Sequence, residues 1–228
     1  MKHIRILILC IAFALLTGCA PAAQDTAAYA PDESERLVLY TSHKKEVWWP
    51  IVKEFESRTG IWVEVVQGGT NELLEQLQKE QDAPRADVMF GGGVESLEAC
   101  RALFEPYVCR GAEQILPQYR AQDSSWTPFS SLPVVLVYNP KLLSSGQLSC
   151  WADLLDPALR GQIAFADPSV SGSSYTALVT MLCALGGDAD EVLQTFAENL
   201  DGKLLSGSGA IISAVANGEA LVGITLEE

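Results

Sequence analysis

The run Ile163-Ala164-Phe165-Ala166-Asp167-Pro168-Ser169-Val170-Ser171-Gly172-Ser173-Ser174-Tyr175-Thr176 sets the fold class. Its first four residues form a compact apolar strand candidate. Asp167-Pro168 stops that strand, because proline fixes φ and restricts the residue before it. A Ser/Gly loop follows, then an apolar helix from Tyr175 to Leu185 that Gly186-Gly187 closes. Strand, break, hydroxyl-rich loop and helix N-terminus, in that order, belong to an α/β unit. The loop offers backbone N–H groups and short hydroxyls at the positive end of a helix dipole, which suits an anion. The alternative is that the serines cap the helix and bind nothing.

The same theme repeats upstream. Arg36 to Tyr40 reads as a strand that ends in the polar turn Thr41-Ser42-His43. Val47, Trp48, Ile51, Val52 and Phe55 then fall at helical spacing, with Pro50 expected to delay or kink the helix and Gly60 to cap it. Trp48 and Trp49 are expected to pack in the core. Ile61 to Val66 reads as a second strand, running into Gln67-Gly68-Gly69-Thr70, with Thr70 as the N-cap of a helix whose apolar side is Leu73, Leu74 and Leu77. Ala86 to Phe90 is a third strand, with Asp87 serving structure at its start. Gly91-Gly92-Gly93 and a helix from Val94 to Leu103 follow. In open parallel sheets ligands bind at the carboxyl ends of the strands. Ser42, Thr70 and the Gly91 loop are therefore expected along one rim.

The alternation breaks between Glu105 and Pro133, where prolines, aromatics and polar residues mix. A crossing near Ser130 to Pro133 divides the chain into a first lobe, residues 36–132, and a second, residues 133–228. The second lobe holds strand candidates at Val134–Tyr138, Ile163–Ala166 and Leu221–Ile224. Helical patterns lie at Val192–Leu200 and from Ser206-Gly207-Ser208, read as a cap, to Ala216.

The 228-residue chain has a formal net charge of −14, so it lacks the basic clusters that phosphate-backbone binding needs, and nucleic acid is excluded as a partner. A small anion is not excluded, because loop N–H groups act at contact distance while surface charge is screened beyond about 8 Å at physiological salt. Met1 to Arg5 is a short basic stretch, and Ile6 to Leu16 is apolar but too short to span a bilayer. Leu16-Thr17-Gly18-Cys19 directly after it resembles a bacterial lipobox. That implies a signal peptide over residues 1–18, lipidation of Cys19 and an extracytoplasmic, lipid-anchored protein. Residues 19–35 read as a flexible tether.

Cys100, Cys109, Cys150 and Cys183 remain in an oxidising compartment. Cys100 and Cys109 are close enough in sequence to staple a surface loop, and Cys183 falls in an apolar helix as a buried thiol. No spacing fits a zinc site. His43 is the only histidine after the signal, which excludes a His-x-x-x-His centre. No nucleophile elbow or Walker lysine pattern occurs, and although acids are plentiful no carboxylate pair stands out for a hydrolase, so no enzyme, cofactor or resident metal is expected.

Three stretches resemble family-1 extracellular solute-binding proteins of bacterial ABC importers: Leu39-Tyr40-Thr41-Ser42-His43 with Phe55-Glu56 and Thr59-Gly60-Ile61; Pro84-Arg85-Ala86-Asp87-Val88; and Trp151-Ala152-Asp153-Leu154-Leu155-Asp156-Pro157 running through Arg160 to Pro168. The resemblance implies an α/β periplasmic-binding-protein type II fold. Each of its two lobes is a doubly wound, mostly parallel sheet, and a solute held between them is handed to a membrane permease. Members of the family normally continue past this length. The second lobe is therefore expected to be incomplete, the sequence to be truncated at its C-terminal end, and a full-length form to be monomeric. The ferric-iron branch typically uses a histidine in the first loop, which His43 matches, and a tyrosine pair whose place is taken here by Glu227-Glu228. The branches that hold phosphate or phosphonate match better. The implied contacts are Ser42, His43, Gly69, Thr70, Ser171, Gly172, Ser173, Ser174 and Glu227, around a small phosphorylated or phosphonate-bearing organic solute. The alternatives are transport of ferric iron, or of a thiamine- or polyamine-type solute, and a ligand-sensing lipoprotein that feeds a two-component system.

Overall fold

The computed structural model describes residues 31–144 and 146–227. The signal segment 1–18, Cys19, the tether as far as residue 30, and Glu228 lie outside the described residues. A short 3-10 turn, Glu33–Glu35, precedes the first strand.

Strand β1, Arg36–Thr41, is central in a three-stranded sheet of order β2-β1-β3, with β2 at Trp62–Gln67 and β3 at Val88–Phe90. β1 and β3 run parallel, Leu39 opposite Val88 and Thr41 opposite Phe90. Asp87 fixes that register from below. Its carboxylate accepts from Val38 N–H at 2.7 Å, and its own N–H donates to Val38 carbonyl at 3.0 Å. Helix α1, Lys45–Thr59, packs Trp48 and Val52 against Leu39 and Val63. It starts before Pro50 and runs through it, so one intrahelical donor is forfeited rather than the first turn. Gly60, at φ 73°, closes it by donating to Glu56 carbonyl at 2.8 Å. Trp49 is exposed, with the ammonium groups of Lys45 and Lys53 over its ring at 4.7 and 4.6 Å. Helices α2, Thr70–Lys79, and α3, Val94–Ala99, follow β2 and β3.

The second sheet has the order β4-β6-β5, with β4 at Val134–Tyr138, β5 at Ile163–Ala164 and β6 at Val222–Leu226. It is mixed: β5 and β6 are parallel, while β4 runs antiparallel to β6. Both faces are covered, which explains why Ile163-Ala164-Phe165-Ala166 is apolar throughout. Ile163 and Phe165 face a core built with Leu154, Met181, Phe196 and Val222. Ala164 and Ala166 face the other side, where helix α6, Ile211–Ala216, supplies Ile211, Ala214 and Val215. Helices α4, Gly172–Leu185, and α5, Ala189–Leu200, cover the first face. Gly223 admits α6, since a Cβ there would lie 2.7 Å from Ile211. The extended run outlasts β5: Ala166 bridges Leu205 and Asp167 N–H donates to Leu205 carbonyl at 2.9 Å. Residues 37–228 form one compact unit that contains both sheets.

Two cysteine expectations are corrected. Cys100 and Cys109 are free, half-buried thiols: Cys100 caps the end of α3, while Cys109 starts a separate turn whose carbonyl accepts from Ala112 N–H. Cys183 is exposed, because α4 turns Ala177 and Met181 into the core instead.

Candidate functional site

The parallel pairing of β1 and β3 puts their carboxyl ends on one edge, and Gly68 N–H donating to Thr41 carbonyl at 3.2 Å brings the end of β2 there too. Ser42, Thr70 and the Gly91 loop therefore meet. A Cβ on Gly91 would lie 2.5 Å from Ser42 Oγ, and one on Gly92 3.2 Å from Thr70 Cγ2. Gly91 has φ 123° and Gly92 98°, so glycine is required there by the backbone as well as by crowding. Thr70 is not the N-cap. Gly69 occupies that place, its N–H donating to Glu72 Oε2 at 3.2 Å, which frees Thr70 to be the first helical residue and to be buried.

His43 lies at the same edge. Its N–H donates to Thr41 Oγ1 at 3.2 Å, and its ring centroid is 4.7 Å from that of Phe90 and 5.5 Å from that of Phe129. Burial among these rings holds its pKa below the usual 6.5. Above the ordinary pKa both folded and unfolded chains are neutral at this position, so the shift costs nothing. As the pH falls below that value, the unfolded chain takes up a proton that the folded chain resists, and stability drops. His43→Gln should accordingly lose less stability than the wild type between about pH 7 and pH 5. Urea midpoints at the two pH values measure this, and equal losses would remove His43 as a source of acid sensitivity.

On the second sheet, Asp167 organises the loop after β5. Its carboxylate accepts from Ser169 N–H at 2.8 Å and Ser169 Oγ at 2.6 Å, and those bonds hold its pKa below the usual carboxylate range. Ser171 is the N-cap of α4: its hydroxyl accepts from Ser174 N–H at 3.3 Å and lies 3.0 Å from Ser173 Oγ. The capping role expected of the serines thus falls to Ser171. Ser174 does something else. Its residue is 2% exposed and its hydroxyl has no partner, a condition shared among the described residues by Ser96 Oγ and Trp48 Nε1. The α4 first turn keeps the Gly172 and Ser173 N–H groups outside its own helical bonding.

The two sets of loops touch. Asn71 N–H donates to Val170 carbonyl at 3.2 Å, and Asn71 Nδ2 to Pro168 carbonyl at 2.7 Å. Thr176 Oγ1 donates to Glu95 Oε2 at 2.8 Å, as α3 packs on α4. Gly172 lies against Thr70 so closely that a Cβ would be 2.6 Å from the threonine Cβ. Thr70 and Gly172 therefore pack on each other instead of facing across an open cleft. Glu227 is exposed past the end of β6, on the edge that parallel β5 also ends at; its backbone N–H donates to Pro133 carbonyl at 2.9 Å, and among the described residues no hydrogen bond ties it to the Ser171–Ser174 loop. The residues that sequence reasoning passed over are Asn71, Glu95, Ser96, Phe129 and Thr176. A groove of about 370 Å³ beside β4, lined by Val134, Leu136, Tyr138, Ser149, Cys150 and Trp151 among others, includes none of the loop residues.

A protein 29% identical over 200 residues is the Fe(3+)-binding periplasmic protein of Serratia marcescens; the match takes in 86% of this chain and 58% of that protein. The putative 2-aminoethylphosphonate-binding periplasmic protein of Salmonella typhimurium is 27% identical over 174 residues, 70% of this chain and 48% of its own length. The chain thus spans about half to three-fifths of the length of these relatives. Among solved structures, the periplasmic binding protein AfuA from Actinobacillus pleuropneumoniae, with exogenous fructose-6-phosphate bound, superposes with a TM-score of 0.71 at 25% identity, covering 84% of this chain and 63% of that one. The fold is that of the type II periplasmic binding proteins. The model of the family described as bacterial extracellular solute-binding protein matches residues 37–228, and the chain belongs to that family.

Proposed function

We propose that this protein is the solute-binding component of an ABC importer and captures a small phosphorylated or phosphonate-bearing organic solute for delivery to a membrane permease. Cys19, outside the described residues, would carry the lipid anchor on the extracytoplasmic side. The observation that carries the ligand class is Ser174: a hydroxyl without a protein partner, on a residue 2% exposed, at the third position of a 14-residue helix. Hydroxyls and N–H groups at a helix start favour a tetrahedral oxyanion, and each charge-assisted bond contributes about 1.5–3 kcal/mol. Association costs about 4–15 kcal/mol, so one loop alone falls short of the about 8 kcal/mol that a micromolar site requires. Ser42 and Thr70 from the first sheet supply the remainder. Glu227 is assigned to a hydroxyl or amine elsewhere on the solute.

Ferric iron is the second reading. It is favoured by the name of the Serratia relative and by His43 in the first loop. Against it, the His43 ring is engaged by Phe90 and Phe129, and no group of three or more His, Cys, Asp or Glu gathers among the described residues. Calorimetric titration of the full chain with 2-aminoethylphosphonate, fructose 6-phosphate and Fe³⁺ separates the two. Saturable binding of a phosphonate or phosphate at about micromolar Kd supports the proposal. Binding of Fe³⁺ with neither organic anion overturns it.

A further inference from the structure

Three aromatic rings from distant parts of the chain meet at the carboxyl edge of the first sheet. Phe90 is the last residue of β3, His43 follows β1 by two residues, and Phe129 comes from the irregular stretch before β4. Ring centroids lie 4.7 Å apart for His43 and Phe90, 5.0 Å for Phe90 and Phe129, and 5.5 Å for His43 and Phe129. His43 and Phe90 are half-buried, whereas Phe129 is 59% exposed. The two inner rings therefore hold Phe129 in place without covering it.

The rings adjoin the hydroxyls of the site. A Cβ on Gly91 would meet His43 Cδ2 at 3.2 Å as well as Ser42 Oγ, and one on Gly92 would meet Thr70 Cγ2. Thr70 in turn packs on Gly172, the first residue of α4. Rings, hydroxyls and helix start are thus successive neighbours. The ring cluster carries no charge at neutral pH, because burial holds the His43 pKa below its usual value. A neutral ring attracts a cation to its face. The protein already displays that attraction at Trp49, whose ring has the Lys45 and Lys53 ammonium groups at 4.7 and 4.6 Å. The formal net charge of −14 adds a field that favours a positive group over a neutral one.

We infer that Phe129 is a specificity-determining residue: its exposed ring, backed by His43 and Phe90, receives the ammonium group of an aminoalkyl phosphonate or phosphate whose oxyanion occupies the start of α4. The inference rests on the reading that an oxyanion binds there, and narrows the solute to one that carries both charges.

Calorimetric titration of the full chain with 2-aminoethylphosphonate and ethylphosphonate, which differ only in the amine, tests it. The wild type should prefer the amine. Phe129→Leu keeps an apolar side chain but removes the aromatic face. It should weaken 2-aminoethylphosphonate by about five- to thirtyfold and ethylphosphonate by no more than about twofold. Phe129→Trp keeps a ring and should retain or raise the preference for the amine. Should Phe129→Leu fail to fold, Phe129→Trp decides, and a lowered preference overturns the inference. Glu227→Gln tests the competing partner for the amine: loss of the preference there, with none in Phe129→Leu, overturns the inference, as does equal weakening of the two phosphonates by Phe129→Leu. Equal affinity of the wild type for both phosphonates, or binding of fructose 6-phosphate alone, also overturns it but leaves the oxyanion site standing. Binding of none of the three anions rejects the oxyanion site and the inference with it.

Discussion

Replacing Phe196 by alanine should lower the unfolding free energy by about 3–5 kcal/mol, the largest single-residue effect expected in this protein. Phe196 is 2% exposed on α5 and meets Phe165 edge to face, with centroids 5.2 Å apart and an interplanar angle of 81°. Leu154, Met181 and Leu200 complete the same core. Truncation forfeits the transfer free energy of the ring, the aromatic pair and the packing around the void, and Phe165 cannot follow into the space. Its carbonyl accepts from Leu205 N–H at 2.9 Å, and Asp167, two residues on, bonds Leu205 in return. Phe196→Leu retains most of the volume and should cost only about 1 kcal/mol, the share owed to the aromatic pair. Urea unfolding of the three proteins measures the series. A loss below about 1 kcal/mol for the alanine variant would mean that this core does not support the loop after β5.

Ser174→Ala should reduce affinity for a phosphonate or phosphate solute by about ten- to a hundredfold, the equivalent of one hydrogen bond to a charged group. Most binding-site substitutions confound lost contact with lost fold, but here the two effects have opposite signs. The hydroxyl has no protein partner in the folded state, so burying it is a cost that alanine removes. The free protein should be unchanged or more stable by up to about 1 kcal/mol. Ser171→Ala is the contrasting case. Ser171 caps α4 through Ser174 N–H, and its loss should destabilise the free protein by about 1 kcal/mol, whatever the solute.

Most elements were legible because local signals agreed with tertiary ones. Alternation with Gly60 as a stop located β1, α1 and β2, and an apolar run ended by Asp167-Pro168 located β5 and the start of α4. The misses have separate causes. Helix α4 begins at Gly172, three residues before its apolar pattern, because Ser171 caps a turn that is polar in sequence. Antiparallel β4 was hidden because its continuous apolar run, half-buried at every position, carries no mark of its direction. Cys183 was misplaced because α4 is apolar nearly all round, leaving no periodicity to say which side faces out.

The rim residues Ser42 and Thr70 and the Gly91 loop could be placed from strand ends alone. Asn71, Glu95 and Thr176 could not, since each bonds a partner 81 to 99 residues away in the sequence. Phe129 falls in the irregular stretch between the sheets and reaches the His43 ring only through the tertiary fold.

The central claim is that the first turn of α4 receives an anionic group, with Ser174 as a donor to it. The most direct measurement sets wild type beside Ser174→Ala. Each is titrated calorimetrically with 2-aminoethylphosphonate and with fructose 6-phosphate, and each is thermally unfolded without solute. The expected result is weaker binding by about a factor of ten or more in a variant at least as stable as the wild type. Equal affinity in the two proteins, or a loss of affinity matched by a loss of stability, would contradict it.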